Sequence, residues 1–467
     1  MATQRLQFTE WLPDQPAMAG SLNDAKNVVP LSLGYSGFPN AENYSGSASE
    51  NLNNIIVGKF GADVQVFAGG STKLFKMDNT TLALADVSKT GGYSSTDNWQ
   101  FKQFGKKILA ANNSAKIQSW EIASSTAFAD VDSSAPIAKY ITVVRDFVVA
   151  ANINGGTDAN KVQWSDINDE TNWTSGSTSQ SDYQIIPDGG NITGLAGGEF
   201  GLVFLEKAVV RMSYIGSPLF FQFDTISRGL GCLEGNSIAT YGATTFFLAD
   251  DGFYKCDGTN VVGIGTEKVD RWFFDDCSLT DLNSMTTAVD PIKKLVVWNY
   301  KAVDGKRHMI IYNWQINKWS RVETLATGVG TIASTGTTLE GLASLGYTDI
   351  DAMTASLDSR LFIGGKFLFA GFEDDKIVTF TGSTYNSEII TTDVEVGYNS
   401  VVTLARPTID NGTATVKVAS RKELDDNISF SAAVTTSSEG RAPLRSFGRY
   451  HRFSISPTGN WTNAVGV

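Results

Sequence analysis

One short pattern recurs along most of this chain. Residues 246–258 read FFLADDGFYKCDG: an apolar run, a tight acidic glycine turn, then an aromatic run that ends in a second turn. Seven units of this grain can be read. They are VQVFAGGSTKLFKM from Val64, KILAANNSAKIQSWEI from Lys107, VVRDFVVAANI from Val143 running on to KVQWSDI, GLVFLEKAVVRMSYIG from Gly201, the Phe246 unit, LVVWNYKAVDGKRHMIIYNW from Leu295, and FLFAGFEDDKIVTFTG from Phe367. Their starts lie mostly about 40 to 70 residues apart, near the spacing of four-stranded propeller blades. A lone hairpin cannot bury its apolar faces, so units repeated at this period stack on one another. The expected fold class is all-β, a β-propeller of six to eight blades with an extended N-terminal arm and a C-terminal β-sandwich-like domain.

A ring of blades accommodates 467 residues as one unit. Apolar residues at 42% and aromatics at 11% supply a large core, and 45 glycines with frequent Asn, Ser and Thr supply the turns. Residues 1–50, with Pro13, Pro16, Pro30 and Pro39, read as the extended arm. Residues 51–385 read as the propeller, with an insertion between blades near 337–360 where TTLEGLASLGYTDIDAMTASLDSR interrupts the β grain. Residues 386–467 read as the C-terminal β domain, in which Val394, Val396, Val401 and Leu404 alternate with polar neighbours.

The formal charge of −12 argues against a protein that grips nucleic acid by neutralising phosphates. All of it resides before residue 387, since the remainder holds eight basic and eight acidic residues. Arg441, Arg445, Arg449 and Arg452 stand there with no acid among them. Pro443 and Gly448 speak against a helix that would align them. With the rest of the chain acidic, a protein partner suits them better than DNA.

No run of 18 apolar residues occurs, and MATQRLQFTEWLPDQP has neither a basic n-region nor an apolar h-region, so neither a membrane anchor nor a signal peptide is expected. Cys232, Cys256 and Cys277 form no CxxC pair, and with only His308 and His451 beside them neither a disulfide framework nor a zinc set is expected. The acid doublets Asp250-Asp251, Asp275-Asp276, Asp374-Asp375 and Asp425-Asp426 lack calcium-loop spacing and read as turn formers rather than ligands or a glycosidase pair. WSDINDETNW, residues 164–173, lacks the spacing of a sialidase aspartate box and reads as a structural tryptophan turn. Neither a GxSxG elbow, nor HExxH, nor a phosphate loop is present, and both histidines read as structural. His451, in RYHRF, sits among arginines expected to depress its basicity. No catalytic residue, cofactor or metal is expected.

EWLPDQP, followed by AKNVVP and GYSGFP, resembles the N-terminal arm of the tail nozzle proteins of short-tailed bacteriophages, also called packaged-DNA stabilisation or tail hub proteins. SLDSRLFIGGKFLFAGFEDDKIVTFTG is similar to a further segment of that family. So is WSDINDETNWTSGSTSQSDYQIIPDGGNITGLAGGEFGLVFLEKAVVRMSYIG, where a PDGG-type turn precedes an apolar strand and a polar strand ending in Tyr-x-Gly. RYHRFSISP resembles the family's closing strand, and the match is collinear over nearly the whole chain.

The resemblance implies a structural virion protein, made in the host cytoplasm and located in the phage tail. Six copies would form a ring below the portal and its adaptor, or head-to-tail connector, whose lumen conducts and retains packaged double-stranded DNA without binding it specifically. It leaves open whether tail fibres, a tailspike, or needle and plug proteins dock there. Six copies carry a formal charge of about −72, and an acidic lumen lets phosphates slide rather than stick. Trp11, Leu12 and Pro13, with Arg441, Arg445, Arg449 and Arg452, are the expected contacts to other subunits or the adaptor, since exposed aromatic and Arg residues are enriched at interfaces. The alternatives are a carbohydrate-binding or glycoside-cleaving β-propeller, which needs stacked tryptophans lining one blade face, and a cytoplasmic propeller scaffold, which lacks WD and kelch signatures here.

Overall fold

The apolar runs of the hairpin units are continuous rather than alternating because each blade is covered on both faces. In Lys107–Ala111, Ile108 and Ala110 point into one apolar cluster while Leu109 and Ala111 point into another. Successive side chains of a strand face opposite sides, so a sheet buried on both sides needs no polar position. The computed structural model describes residues 4–94, 97–334, 349, 353 and 366–467, and in it seven four-stranded antiparallel units follow one another along the chain. They occupy 52–86, 100–130, 138–185, 192–228, 239–263 and 286–324, with the seventh formed by Gly328–Ala333, Phe367–Glu373, Lys376–Thr384 and a strand from the N-terminal segment.

The protein is a β-propeller, and its blades number seven. Each of the seven hairpin units falls in a different blade. Seven apolar clusters fill the seven gaps between neighbouring blades, including the gap where the seventh meets the first. Across that gap Ile332, Leu368 and Phe372 pack with Leu52, Ile55 and Phe75. At roughly 1.5–3 kcal/mol for each large apolar side chain fully buried, these clusters are the main favourable term of the ring.

The first fifty residues, expected as an extended arm, are built into the sheets. They supply β1 (Leu22–Lys26), β2 (Val28–Pro30), β3 (Tyr35–Gly37) and β4 (Pro39–Asn43). Strand β4 is the outer strand of the seventh blade, with Ala41 opposite Phe380, so one blade is made from both halves of the chain. Strand β1 lies parallel to the outer strand of the sixth blade, Lys26 opposite Arg321, and antiparallel to Glu388–Thr391 on its other side. The sixth blade thus continues through β1 into a ten-stranded sheet that includes Val394–Ala405, Thr413–Arg421 and Ala442–Thr458.

Strands β2 and β3 form a second sheet with Asn463–Gly466 and Thr408–Asp410. Ala25, Val416 and Phe453 of the large sheet share one cluster with Val28, Tyr35 and Ala464 of the small one, which gives the C-terminal region its sandwich character. Because β1 bonds to both sides, no sheet edge separates this region from the propeller near residue 386.

The insertion expected at 337–360 falls almost wholly outside the described residues. The strands that flank it, Gly328–Ala333 and Phe367–Glu373, pair within one blade, so this stretch joins two strands of a blade rather than two blades.

Candidate functional site

Beyond the region where Thr413–Arg421 and Glu388–Thr391 flank it, the long strand Ala442–Thr458 keeps a single neighbour. Residues 442–449 pair only with Val394–Ala405, making a two-stranded ribbon. Val401 stands opposite Phe447 and Leu404 opposite Pro443. Val401, Leu404 and Phe447 are 53%, 49% and 52% exposed, so one face of the ribbon presents an apolar row to solvent. Of the alternating residues Val394, Val396, Val401 and Leu404 that mark this region as a β domain in the sequence, the last three face outward. Arg445 and Arg449 share the parity of Phe447 and border the row.

The seven interface candidates separate sharply. Arg441 is exposed and pairs with Glu439 at 3.1 Å, and Arg445 is exposed. Arg449 bonds Glu395 at 2.8 Å and lies 5.0 Å from the Tyr450 ring. Arg452 is a correction: it is buried, and its guanidinium reaches Asp393 at 2.7 Å beside Arg421, a pairing that burial requires. Trp11 is a second correction. It is 1% exposed, packs edge-on to Trp272 at 4.8 Å and donates Nε1–H to the Asn23 carbonyl, so it belongs to the interior of its own chain. Leu12 and Pro13 are half-buried beside it, in a segment pinned by Asp14, whose carboxylate accepts the Arg271 and Trp272 N–H groups at 2.9 Å and caps α1 (Asp270–Asp276).

The propeller axis is crossed by side chains. Asn98, ahead of the second blade, donates to the Asn283 carbonyl at 3.3 Å, and Gln100 donates to Asn236 Oδ1 at 2.9 Å. Asn236 in turn donates to the Asn283 carbonyl at 3.2 Å, and Thr287 donates to the Asn236 carbonyl at 2.8 Å. These bonds tie the second blade to the entries of the fifth and sixth, on the far side of the ring. No duplex threads a channel so spanned.

The acid doublets have local partners. Asp426 accepts the backbone N–H groups of Lys422 and Glu423, Asp374 adopts φ 51° in a turn, and Asp250 pairs with Lys207. Asp276 does more than form a turn, joining His308 Nδ1 at 2.8 Å and the Tyr300 hydroxyl at 2.7 Å. In the tryptophan turn, Asp166 accepts the N–H groups of Ile167 and Gln180, and Trp164 and Trp173 are buried. His451 is fully buried between the Ser400 and Ser420 hydroxyls, each at 2.6 Å, and burial, rather than the arginines, draws its basicity down. The three cysteines are buried and unpaired. Eight of the ten tryptophans are buried, so they form no stacking platform for a saccharide. Among the described residues no three His, Cys, Asp or Glu side chains converge as metal ligands.

No protein-family model matches the chain, nor does any curated protein sequence. Among solved structures it is similar to one titled as the mitotic checkpoint complex, at 8% identity over 81% of this chain and 95% of that one, with a TM-score of 0.39. The WD40 domain of Neurospora crassa Pan2 is similar at 8% identity over 72% and 90%, with a TM-score of 0.39. The dihydro-heme d1 dehydrogenase NirN in complex with DHE is similar at 11% identity over 87% and 76%, with a TM-score of 0.33. At such identities and TM-scores the likeness carries no argument, and the fold rests on the sheet order.

Two features of the site escaped the sequence. Phe447 sits in a run of arginines and serines that carries no apolar pattern, and its exposure depends on where the flanking strands stop. The crossing of the axis by Asn98, Gln100 and Asn236 joins residues about 140 apart in sequence, in loops whose polar composition reads as ordinary turn chemistry.

Proposed function

We propose that this protein is a structural virion component, the tail nozzle of a short-tailed phage, and not an enzyme. Six copies associate into a ring below the portal and adaptor, and its lumen conducts and retains the packaged double-stranded DNA. One observation carries the reading at the level of assembly: the ribbon of Val394–Ala405 and residues 442–449 bears Val401, Leu404 and Phe447 outward beside Arg445, in a region free of net charge, while the rest of the chain holds the whole −12. An apolar row with a basic border fits an acidic surface on a second copy. The collinear resemblance of the motifs supplies the identity of the assembly.

The crossed axis supports the same reading by exclusion. DNA cannot run down the single propeller, so the conduit is the space enclosed between copies. An acidic wall there lets the duplex slide.

Electron microscopy and light scattering of the purified full chain, alone and with the adaptor, test the proposal. A six-fold ring with a central lumen is the expected result. Monomers at every concentration, with and without adaptor, would overturn it.

A further inference from the structure

Beneath the crossing of the axis lies a cavity of about 180 Å³, bounded by the inner strands of several blades. The innermost strand of each blade has an unpaired edge, so backbone N–H and C=O groups turn toward the axis along with the side chains. Asn54, Gln100, Asn236, Thr286 and Thr287 line the cavity; Thr287 spends its hydroxyl proton on the Asn236 carbonyl, whereas Thr286, whose oxygen accepts the Val329 N–H, keeps its own, and each amide keeps a second N–H. Lys102, on Gln100–Phe104, is the charged residue of the lining.

Lys102 is unlike the other lysines near the axis. Lys139 pairs with Asp97 at 3.5 Å in the adjoining chamber, whereas no carboxylate or hydrogen-bond acceptor among the described residues pairs with Lys102. Protein surrounds it, yet it keeps some accessible surface where it lines the cavity. Burial draws its ammonium below the ordinary lysine range, and no neighbouring charge offsets this. A cation desolvated without a counter-charge is costly, and a ligand that supplies the charge removes the cost.

In the adjoining chamber Asp97 is compensated by Lys139, and burial pushes the carboxyl of Glu234 up from its ordinary range. The volume admits a tetrahedral oxyanion together with several waters.

We propose that the axial cavity is a binding site for a small free oxyanion of the phosphate class, with Lys102 as its counter-charge and Thr286 and Asn54 among its polar lining. The site is independent of ring assembly. It makes the anion a bolt at the centre of the propeller, adding a charged link to the hydrogen bonds that already tie the second blade to the entries of the fifth and sixth.

The test uses the full chain and inorganic phosphate at matched ionic strength, read by calorimetric titration and by thermal melting. Phosphate is expected to bind saturably near one equivalent and to raise the melting temperature more than chloride does. Lys102→Met is expected to melt higher than wild type without phosphate, to weaken phosphate binding at least tenfold and to lose the phosphate-dependent shift. Lys102→Arg should keep it. If chloride gives the same shift as phosphate, if wild type binds no phosphate, or if Lys102→Met responds as wild type does, the proposal fails. A DNA duplex at equal phosphate concentration should not displace the anion, since a duplex does not enter the crossed axis; displacement would overturn the assignment to this axial cavity.

Discussion

In the propeller every blade lies between two neighbours, and the one blade that the second half of the chain leaves a strand short is finished by β4. In the ribbon of Val394–Ala405 and residues 442–449 the same antiparallel ladder runs on past its neighbours, and Val401, Leu404 and Phe447 face solvent at about half their area. The ring satisfies itself within one chain; the ribbon leaves its apolar row in water. On the proposed function the difference assigns stability and assembly to separate parts of the molecule, and it can be broken by mutation.

The largest effect is expected from Val401→Asp combined with Phe447→Asp. Charges on the apolar row should abolish assembly in light scattering while the melting temperature of the chain moves by no more than about 2 °C, because both sites are half in water already. A melting temperature lowered by roughly 10 °C would mean that the ribbon belongs to the stable core after all.

Trp11→Ala probes the other side of the comparison. Removing a fully buried indole should cost about 3–5 kcal/mol in urea unfolding. A loss under about 1 kcal/mol would return this segment to the role of a free arm. Arg452→Ala should cost about 3 kcal/mol by leaving the buried Asp393 with Arg421 alone, and a stability-neutral Arg452→Ala that impairs assembly would restore Arg452 to the interface.

A smaller effect involves pH. Asp270 accepts the Phe253 N–H, but burial, helped by Asp14 and Asp251, pushes its carboxyl up to about 7. Unfolded, it titrates near 4, so between these values the folded chain holds a proton that the unfolded chain has released. Its contribution is present below about pH 4 and is lost as pH rises through about 7. Asp270→Asn should match wild type near pH 4 and be more stable by roughly 2 kcal/mol at pH 8, with assembly through the ribbon unaltered. Parallel stability curves for the two proteins across this range would refute the burial argument. The smallest effect is expected from Arg445→Ala: unfolding within about 0.5 kcal/mol of wild type, and a weaker, less salt-sensitive assembly by sedimentation.

The second strand of each blade is legible because it carries an apolar run, as in GLVFL and FVVAA, which are buried on both faces. The number of blades was not, because outer strands such as Leu84–Asp86, Ala129–Asp130 and Val261–Gly263 are two or three residues long and largely exposed. The arm was misjudged for a related reason: PNAEN has no apolar alternation, and its partner strand lies in the far half of the chain. Among the candidate interface residues, Arg445 and Arg452 look alike in sequence. Only the position of Asp393 decides that one is buried and the other free.

Strand β4 also imposes an order in time. It leaves the ribosome long before Lys376–Thr384, and at ordinary rates of synthesis the interval is on the order of tens of seconds. During that wait the strand is a loose end beside nascent blades that are seeking partners of their own. Its sequence, a proline followed by polar and acidic residues, makes it a poor template for wrong pairing, so the segment least convincing as a strand is suited to waiting for its place.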